Sequence, residues 1–210
     1  MQTPSRDCPA CPRLAAFRAD NRARFPDWHN APVPSFGSLD AKLLIVGLAP
    51  GLRGANQTGR PFTGDYAGDT LYGALLRHGL AVGRYGERPD DGLTLIDTRI
   101  TNAVRCVPPE NKPTPAEIKA CRPFLDAEFA AMANLKVILA LGLVSHRSIG
   151  ARFKIPASRL PFKHGLAQTL PGGITLVASY HCSRYNTNTG RLTEAMFDAV
   201  IADLARRVRG

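Results

Sequence analysis

Lys42 to Asp65 reads KLLIVGLAPGLRGANQTGRPFTGD. Leu43, Leu44, Ile45 and Val46 run without polar alternation, as a strand does when both of its faces are covered in a parallel sheet. The run empties into Gly47, Pro50, Gly51 and Gly54, where a chain turns and can bring bare backbone N–H groups close to a ligand. Open α/β sheets bind ligands beyond the carboxyl ends of their strands. Two later stretches repeat the form of a strand followed by a polar loop, and they deliver Asn102 and His181.

Outward from that stretch, the pattern alternates. A weak helical stripe with Leu14 and Phe17 covers Ala10 to Arg24, and Pro26, Pro32 and Pro34 make an extended connector. After the glycine loop, Leu71, Leu75 and Leu76 predict a helix over Asp69 to His78, closed by Gly79. Gly83 to Gly92 reads as a polar turn region. Leu93 to Val104 reads as a second strand, with Ile96, Ile100 and Val104 apolar. Pro108, Pro109, Pro113 and Pro115 make a rigid loop. Thr114 and Glu117 then form a capping box for a helix that carries Ile118, Cys121, Leu125 and Phe129 to about Asn134. Val137–Leu141 is a third strand with a short helix after Gly142, and Pro156 to Gly173 is a loop-rich crossing. Ile174–Ser179 is a fourth strand, and a last amphipathic helix spans Leu192 to Val208. This alternation predicts an α/β chain, a three-layer α/β/α sandwich around a central, mostly parallel four-stranded sheet.

The chain has 210 residues, the size of a single domain spanning residues 1–210. Hydrophobic residues make up 44% and charged residues 21%, as in an ordinary globular protein. No apolar run approaches the roughly 20 residues of a membrane span, and MQTPSRDC has no signal-like apolar region. The expectation is a cytoplasmic, monomeric protein with no membrane partner. Lys plus Arg number 27 against 17 Asp plus Glu, a net charge of +10, so a polyanion, most simply nucleic acid, is the expected partner. Five cysteines in a cytosolic chain argue against a disulfide framework. Cys8 and Cys11 form a C-x2-C pair, Cys106 and Cys121 follow with fourteen residues between them, and Cys182 stands apart. Four cysteines so spaced suit an iron–sulfur cluster or a four-cysteine zinc site.

TNAVRCVPPENKPTPAEIKACRPFL (Thr101 to Leu125) closely resembles the iron–sulfur uracil-DNA glycosylases. So do CPACPRL at the start, GLAPG and GRPFTGD in the first loop, and HCSRYN at residues 181–186. The motifs cover nearly the whole chain in the expected order. Ala49 in GLAPG together with GRPFTGD resembles the B-type branch, family five. The resemblance implies a uracil-DNA glycosylase-like fold and a monofunctional glycosylase of base-excision repair. Such an enzyme hydrolyses the N-glycosidic bond of uracil, and of other deaminated bases such as hypoxanthine, and leaves an abasic site in DNA. It also implies a 4Fe-4S cluster on Cys8, Cys11, Cys106 and Cys121, with zinc as the alternative, and nucleoid association through DNA.

By the same resemblance, Asn102 reads the Watson–Crick edge of the base, and Phe62 is the aromatic platform beneath it. His181 donates a hydrogen bond where negative charge develops on the leaving base, aided by backbone N–H groups of Ala49 to Gly51. Ser183 holds a phosphate, and Arg184 and Tyr185 wedge into the gap left by the flipped nucleotide. Ala49 departs from the carboxylate or amide that other branches use to place water. Either Asp65 takes over that task, or backbone and DNA phosphate do; Asp65 can instead simply cap the helix that follows. Cys182 stands where relatives often have proline. No histidine lies between Cys106 and Cys121, where relatives that cross-link to uracil DNA carry one, and no lysine is placed for Schiff-base chemistry. A non-catalytic, metal-stapled nucleic-acid-binding protein on the same fold is the alternative from another class.

Overall fold

The computed structural model describes residues 1–210. Its centre is a sheet built from β1 (Leu43–Gly47), β4 (Thr98–Asn102), β5 (Val137–Leu141), β6 (Ala167–Thr169) and β7 (Thr175–Ser179), in the order β4-β1-β5-β7-β6. The first four positions run parallel, and β6 pairs antiparallel with β7 at the edge. The sheet therefore has one strand more than the apolar pattern predicts. β6 is an edge strand with two of its three residues exposed, so it carries no apolar signature. A second, two-residue hairpin, β2 (Ala81–Val82) with β3 (Thr94–Leu95), sits outside the main sheet. It takes the start of the stretch expected to be one strand from Leu93 to Val104, and Ile96 between the two pieces is 41% exposed.

Both faces of the sheet are buried, and the residues of β1 show how. Leu43 and Ile45 pack into the core shared with α3 (Tyr66–Arg77) and α7 (Glu194–Arg209). Leu44 and Val46 face the core shared with α4 (Pro115–Ala131) and α5 (Leu143–Arg152). All four are fully buried, and each such side chain contributes about 1.5–3 kcal/mol by leaving water. The three-layer sandwich follows from that two-sided strand. No helix is long and apolar enough to cross a membrane.

The helix starts follow their caps. Thr114 accepts from the Glu117 N–H while the Glu117 carboxylate accepts from the Thr114 N–H, completing the capping box of α4. Thr193 caps α7 through the Met196 N–H. Helix α3 begins at Tyr66, three residues before the expected start, because Asp65 caps it by accepting from Gly68. Two features were not legible from apolar periodicity. Glu128, fully buried on α4, joins Arg99 of β4 at 2.5 Å and also pairs with Arg105, which locks α4 against the end of β4. The amino-terminal helix α1 (Pro12–Arg24) is linked to α2 (Ala55–Thr58) by the buried Asn30, which donates to the Asn21 carbonyl at 3.3 Å and accepts from Asn56 Nδ2 at 2.9 Å.

Candidate active site

The carboxyl ends of β4, β1, β5 and β7 lie side by side, and the loops leaving them build the site. The register sets Gly47 directly opposite Asn102. A Cβ on Gly47 would lie 2.3 Å from Asn102 Oδ1 and 2.6 Å from Phe62 Cζ, so only glycine lets those two side chains meet over the strand end. Asn102 is buried, and its Oδ1 has no protein partner. Buried amide oxygens are rarely left so; here the acceptor lines a small inner cavity together with Ala49, Gly51, Phe62, Asp65 and His181. Ala49 and Gly51 donate their N–H groups to no protein acceptor. The cavity thus offers fixed donors, one free acceptor and an aromatic face.

Phe62 is buried and adopts a left-handed φ of +52°. Its ring centroid is 5.9 Å from that of His181, with 26° between the planes. Burial holds the His181 imidazole down at about 4, so it is neutral near pH 7 and can donate one N–H hydrogen bond. Its loop is secured at three points. Asn186 Nδ2 donates to the His181 carbonyl at 2.8 Å, Ser183 Oγ accepts from the Asn186 N–H, and the buried Cys182 thiol donates to the Ala67 carbonyl at 3.5 Å. Cys182 therefore replaces the stiffness of proline with a buried anchor onto α3.

Asp65 caps the helix that follows, as one of its two readings expected, and leaves one oxygen over. Oδ1 caps α3 by accepting from Gly68 at 3.1 Å. Oδ2 is turned toward the glycine loop, where a Cβ on Gly51 or Gly54 would lie 3.1 or 2.4 Å from it. Burial raises its pKa, against two backbone hydrogen bonds that lower it. One oxygen is structural, and the other is free at the mouth of the cavity. Ala49, beside it, is too small to reach that point.

The inner cavity opens onto a groove of about 630 Å³, which shares Ala49, Gly51, Asp65 and His181 with it and adds Arg53, Asn111, Ser183 and Arg184. Asp65 is the groove's one carboxylate. The Arg184 guanidinium sits 5.4 Å from the centre of the Tyr66 ring. Tyr185, at the start of α6 (Arg184–Asn188), is 73% exposed, an unusual place for a tyrosine with no neighbour to cover it. Ser183 Oγ also serves as the α6 cap. Arg53 and Asn111 were not singled out from sequence; their signal is a polar side chain in a loop that leaves a strand end.

Cys8, Cys11, Cys106 and Cys121 line one small cavity with Leu14, Arg18 and Val104. No three of the chain's histidine, cysteine or acidic side chains converge closely enough to hold a single ion. Arg18 donates toward Cys106 Sγ at 3.6 Å and the Arg105 N–H toward Cys121 Sγ at 3.3 Å. Burial pushes the Cys11 and Cys121 thiols up to about 11. Leu14, Val104 and Cys121 form a small apolar cluster against which Ala49 packs, so the cysteine cavity and the inner cavity share a wall.

Residues 34–205 match the family described as the Uracil DNA glycosylase superfamily. The chain is 45% identical over 209 residues to a type-5 uracil-DNA glycosylase of Thermus thermophilus, covering 97% of this chain and 94% of that one. It is 43% identical over 211 residues to a type-5 uracil-DNA glycosylase of Mycobacterium leprae, covering 97% and 92%. A type-4 uracil-DNA glycosylase of Pyrobaculum aerophilum is 36% identical over 118 residues, covering 56% of this chain and 52% of that one.

Proposed function

The chain belongs to the uracil-DNA glycosylase superfamily, and on that premise we propose that it is a monofunctional glycosylase that excises uracil from DNA. The observation that carries this reading is the buried, unpartnered Asn102 Oδ1 facing a cavity floored by Phe62. An enzyme acting on a base within a duplex must flip the nucleotide out of the stack. Asn102 then accepts from the ring N–H of uracil and donates through its amide to the adjacent carbonyl, a pairing worth about 1–3 kcal/mol of discrimination. Phe62 stacks on the base face.

Cleavage of the N-glycosidic bond leaves the electron pair on the base and positive charge on the sugar. Neutral His181 and the free N–H groups of Ala49 and Gly51 stabilise the anionic base oxygen. Asp65 Oδ2 faces the cationic sugar and holds the water that adds to it, whose proton passes to the carboxylate. The released base anion takes up a proton from water and Asp65 gives its own back to solvent, so the net products of base loss and water addition are free base and an abasic site. Tyr185 fills the gap left in the stack, Arg184 supports it, and Ser183 with Arg53 contacts phosphate. The net charge of +10 favours that backbone engagement.

The donor set of the cysteine cavity fits a 4Fe-4S cluster on Cys8, Cys11, Cys106 and Cys121. Those four cysteines would hold the group as thiolates, against the burial that keeps Cys11 and Cys121 protonated without it, and the group would supply a structural tie between the amino-terminal segment and the loop after Asn102. Four cysteines lining one cavity, in the order and spacing of the iron–sulfur glycosylase motifs, support the cluster over zinc. Protein purified without oxygen is expected to be brown, with iron and sulfide in equal amounts. Cys121→Ala should lose both, and Cys182→Ala should keep them. Colourless protein with stoichiometric zinc contradicts the assignment.

The absence of a side chain at Ala49 beyond a methyl group leaves room beside the base, and hypoxanthine also offers a carbonyl that His181 can reach. Release of hypoxanthine from duplex DNA is therefore expected, more slowly than uracil. Thymine and cytosine should survive, the one for its methyl group and the other for its mismatch with the Asn102 amide. Hypoxanthine left intact under conditions that exhaust uracil DNA would make the enzyme a narrow uracil glycosylase.

A further inference from the structure

The Gly83–Gly92 stretch takes no part in the chemistry above, yet two of its side chains, Tyr85 and Asp91, reach the turn that carries Phe62. That turn is strained, because Phe62 holds φ +52°, a region a bulky residue occupies only where its surroundings over-determine it. Both carbonyls flanking the strain are held by phenols. Tyr72 Oη donates to the Pro61 carbonyl at 2.6 Å, and Tyr85 Oη donates to the Phe62 carbonyl at 3.3 Å while accepting from the Gly64 N–H at 3.4 Å.

Beneath them lies Arg60, whose Nε donates to Thr63 Oγ1 at 2.8 Å and whose terminal nitrogens clamp Asp91 at 2.8 and 2.6 Å. The Arg60 and Asp91 side chains are only 5% and 4% exposed. The guanidinium lies 5.2, 5.3 and 5.8 Å from the ring centres of Phe36, Tyr72 and Tyr85. Asp91 in turn accepts from the Gly86 and Leu93 N–H groups at 2.8 and 3.0 Å, so the loop wraps its own carboxylate. Gly68 closes the cage from α3, since a Cβ there would lie 2.0 Å from the Phe62 carbonyl oxygen.

A buried bidentate ion pair is weak evidence for stability and better evidence for a fixed geometry. We propose that Tyr85, directly, and Asp91, through Arg60, are positioning residues that together with Tyr72 hold the Phe62 ring at the angle required to stack on the flipped base. The proposal rests on the reading of Phe62 as the base platform. It gives the Gly83–Gly92 loop a function, namely to set how firmly an extrahelical base is gripped.

The test uses the intact protein with Tyr85→Phe, Tyr72→Phe, Asp91→Asn and Phe62→Ala, each measured for single-turnover base release and thermal midpoint. Affinity is measured for an unmodified duplex and for one carrying non-hydrolysable 2′-fluoro-2′-deoxyuridine. Tyr85→Phe keeps its ring over Arg60 and loses one hydroxyl. It is expected to lower both the rate and the preference for the fluorinated duplex by about 2- to 10-fold, the worth of one ordinary hydrogen bond. Unmodified-duplex affinity should stay level. Asp91→Asn should lose more; if it does not fold, the two phenylalanine variants carry the test. Tyr85→Phe and Tyr72→Phe with parental rate and preference, beside a crippled Phe62→Ala, would overturn the cage and leave the platform standing. Equal losses on both duplexes would reduce the cage to a structural role. A fully active Phe62→Ala would remove the platform reading itself.

Discussion

His181→Ala is expected to slow single-turnover release of uracil by about 100- to 1,000-fold, the range lost with one donor aimed at developing charge. The effect should fall on the chemical step more than on duplex affinity, because the ring lines the inner cavity beside Asn102 and Phe62. Burial sets the form of the catalyst. With its pKa at about 4 against an ordinary 6.5, the folded protein keeps the ring neutral where a free histidine would be half charged. The parental rate should therefore show no imidazole titration between pH 6 and 8. The same shift has a folding consequence. The unfolded chain takes up the proton below 6.5 and the folded one only below about 4, so stability falls as pH drops through that window and is level above it. His181→Ala should flatten that part of the acid profile. A variant with near-parental rate would show that the backbone N–H groups of Ala49 and Gly51 suffice.

Gly47→Ala should be nearly as damaging although it removes no functional atom. The added methyl would sit 2.3 Å from Asn102 Oδ1 and 2.6 Å from Phe62 Cζ, distances no real contact holds, so both side chains must move. Edge recognition and base stacking are each worth about 1–3 kcal/mol. Disturbing both is expected to lower uracil release by about 100-fold or more, while overpacking at one strand end costs only about 1–3 kcal/mol of stability. Gly73→Ala is the control. It lies within α3, its new Cβ would meet nothing closer than an Arg77 nitrogen at 3.5 Å, and it should leave the rate unchanged. Parental activity in Gly47→Ala would mean that Asn102 and Phe62 need not meet as they do here.

Much of this was legible from residues alone, and the reasons are physical. A strand buried on both faces leaves an unbroken apolar run, so β1, β5 and β7 could be read from Leu43 to Val46, from Val137 to Leu141 and from Ile174 to Ser179. Such strands end in loops, which put Asn102, His181 and the glycine loop on one edge. The family resemblance drawn from those loops is borne out by the matches over residues 34–205 and by the type-5 relatives. Polar structure was illegible wherever it depends on distant partners. β6 needs β7 to exist, and its exposed residues left no period. Glu128 drew no reading from the sequence, because its partners Arg99 and Arg105 lie 29 and 23 residues earlier. Asp65 could be read as cap or as site residue; Oδ1 makes the cap, while Oδ2 is turned toward the glycine loop. Tyr85 and Asp91 lay in a stretch read only as a polar turn, since nothing in sequence ties them to Phe62 some twenty to thirty residues earlier.

The most direct test of the whole account is product analysis after the purified protein is mixed in excess with a duplex holding one uracil. The account predicts free uracil and an intact strand carrying an abasic site, which breaks only on later treatment with alkali, and the same protein should be ready to act again. A tightly bound duplex whose uracil is still attached would contradict it, and would make this chain a nucleic-acid-binding protein on a glycosylase fold.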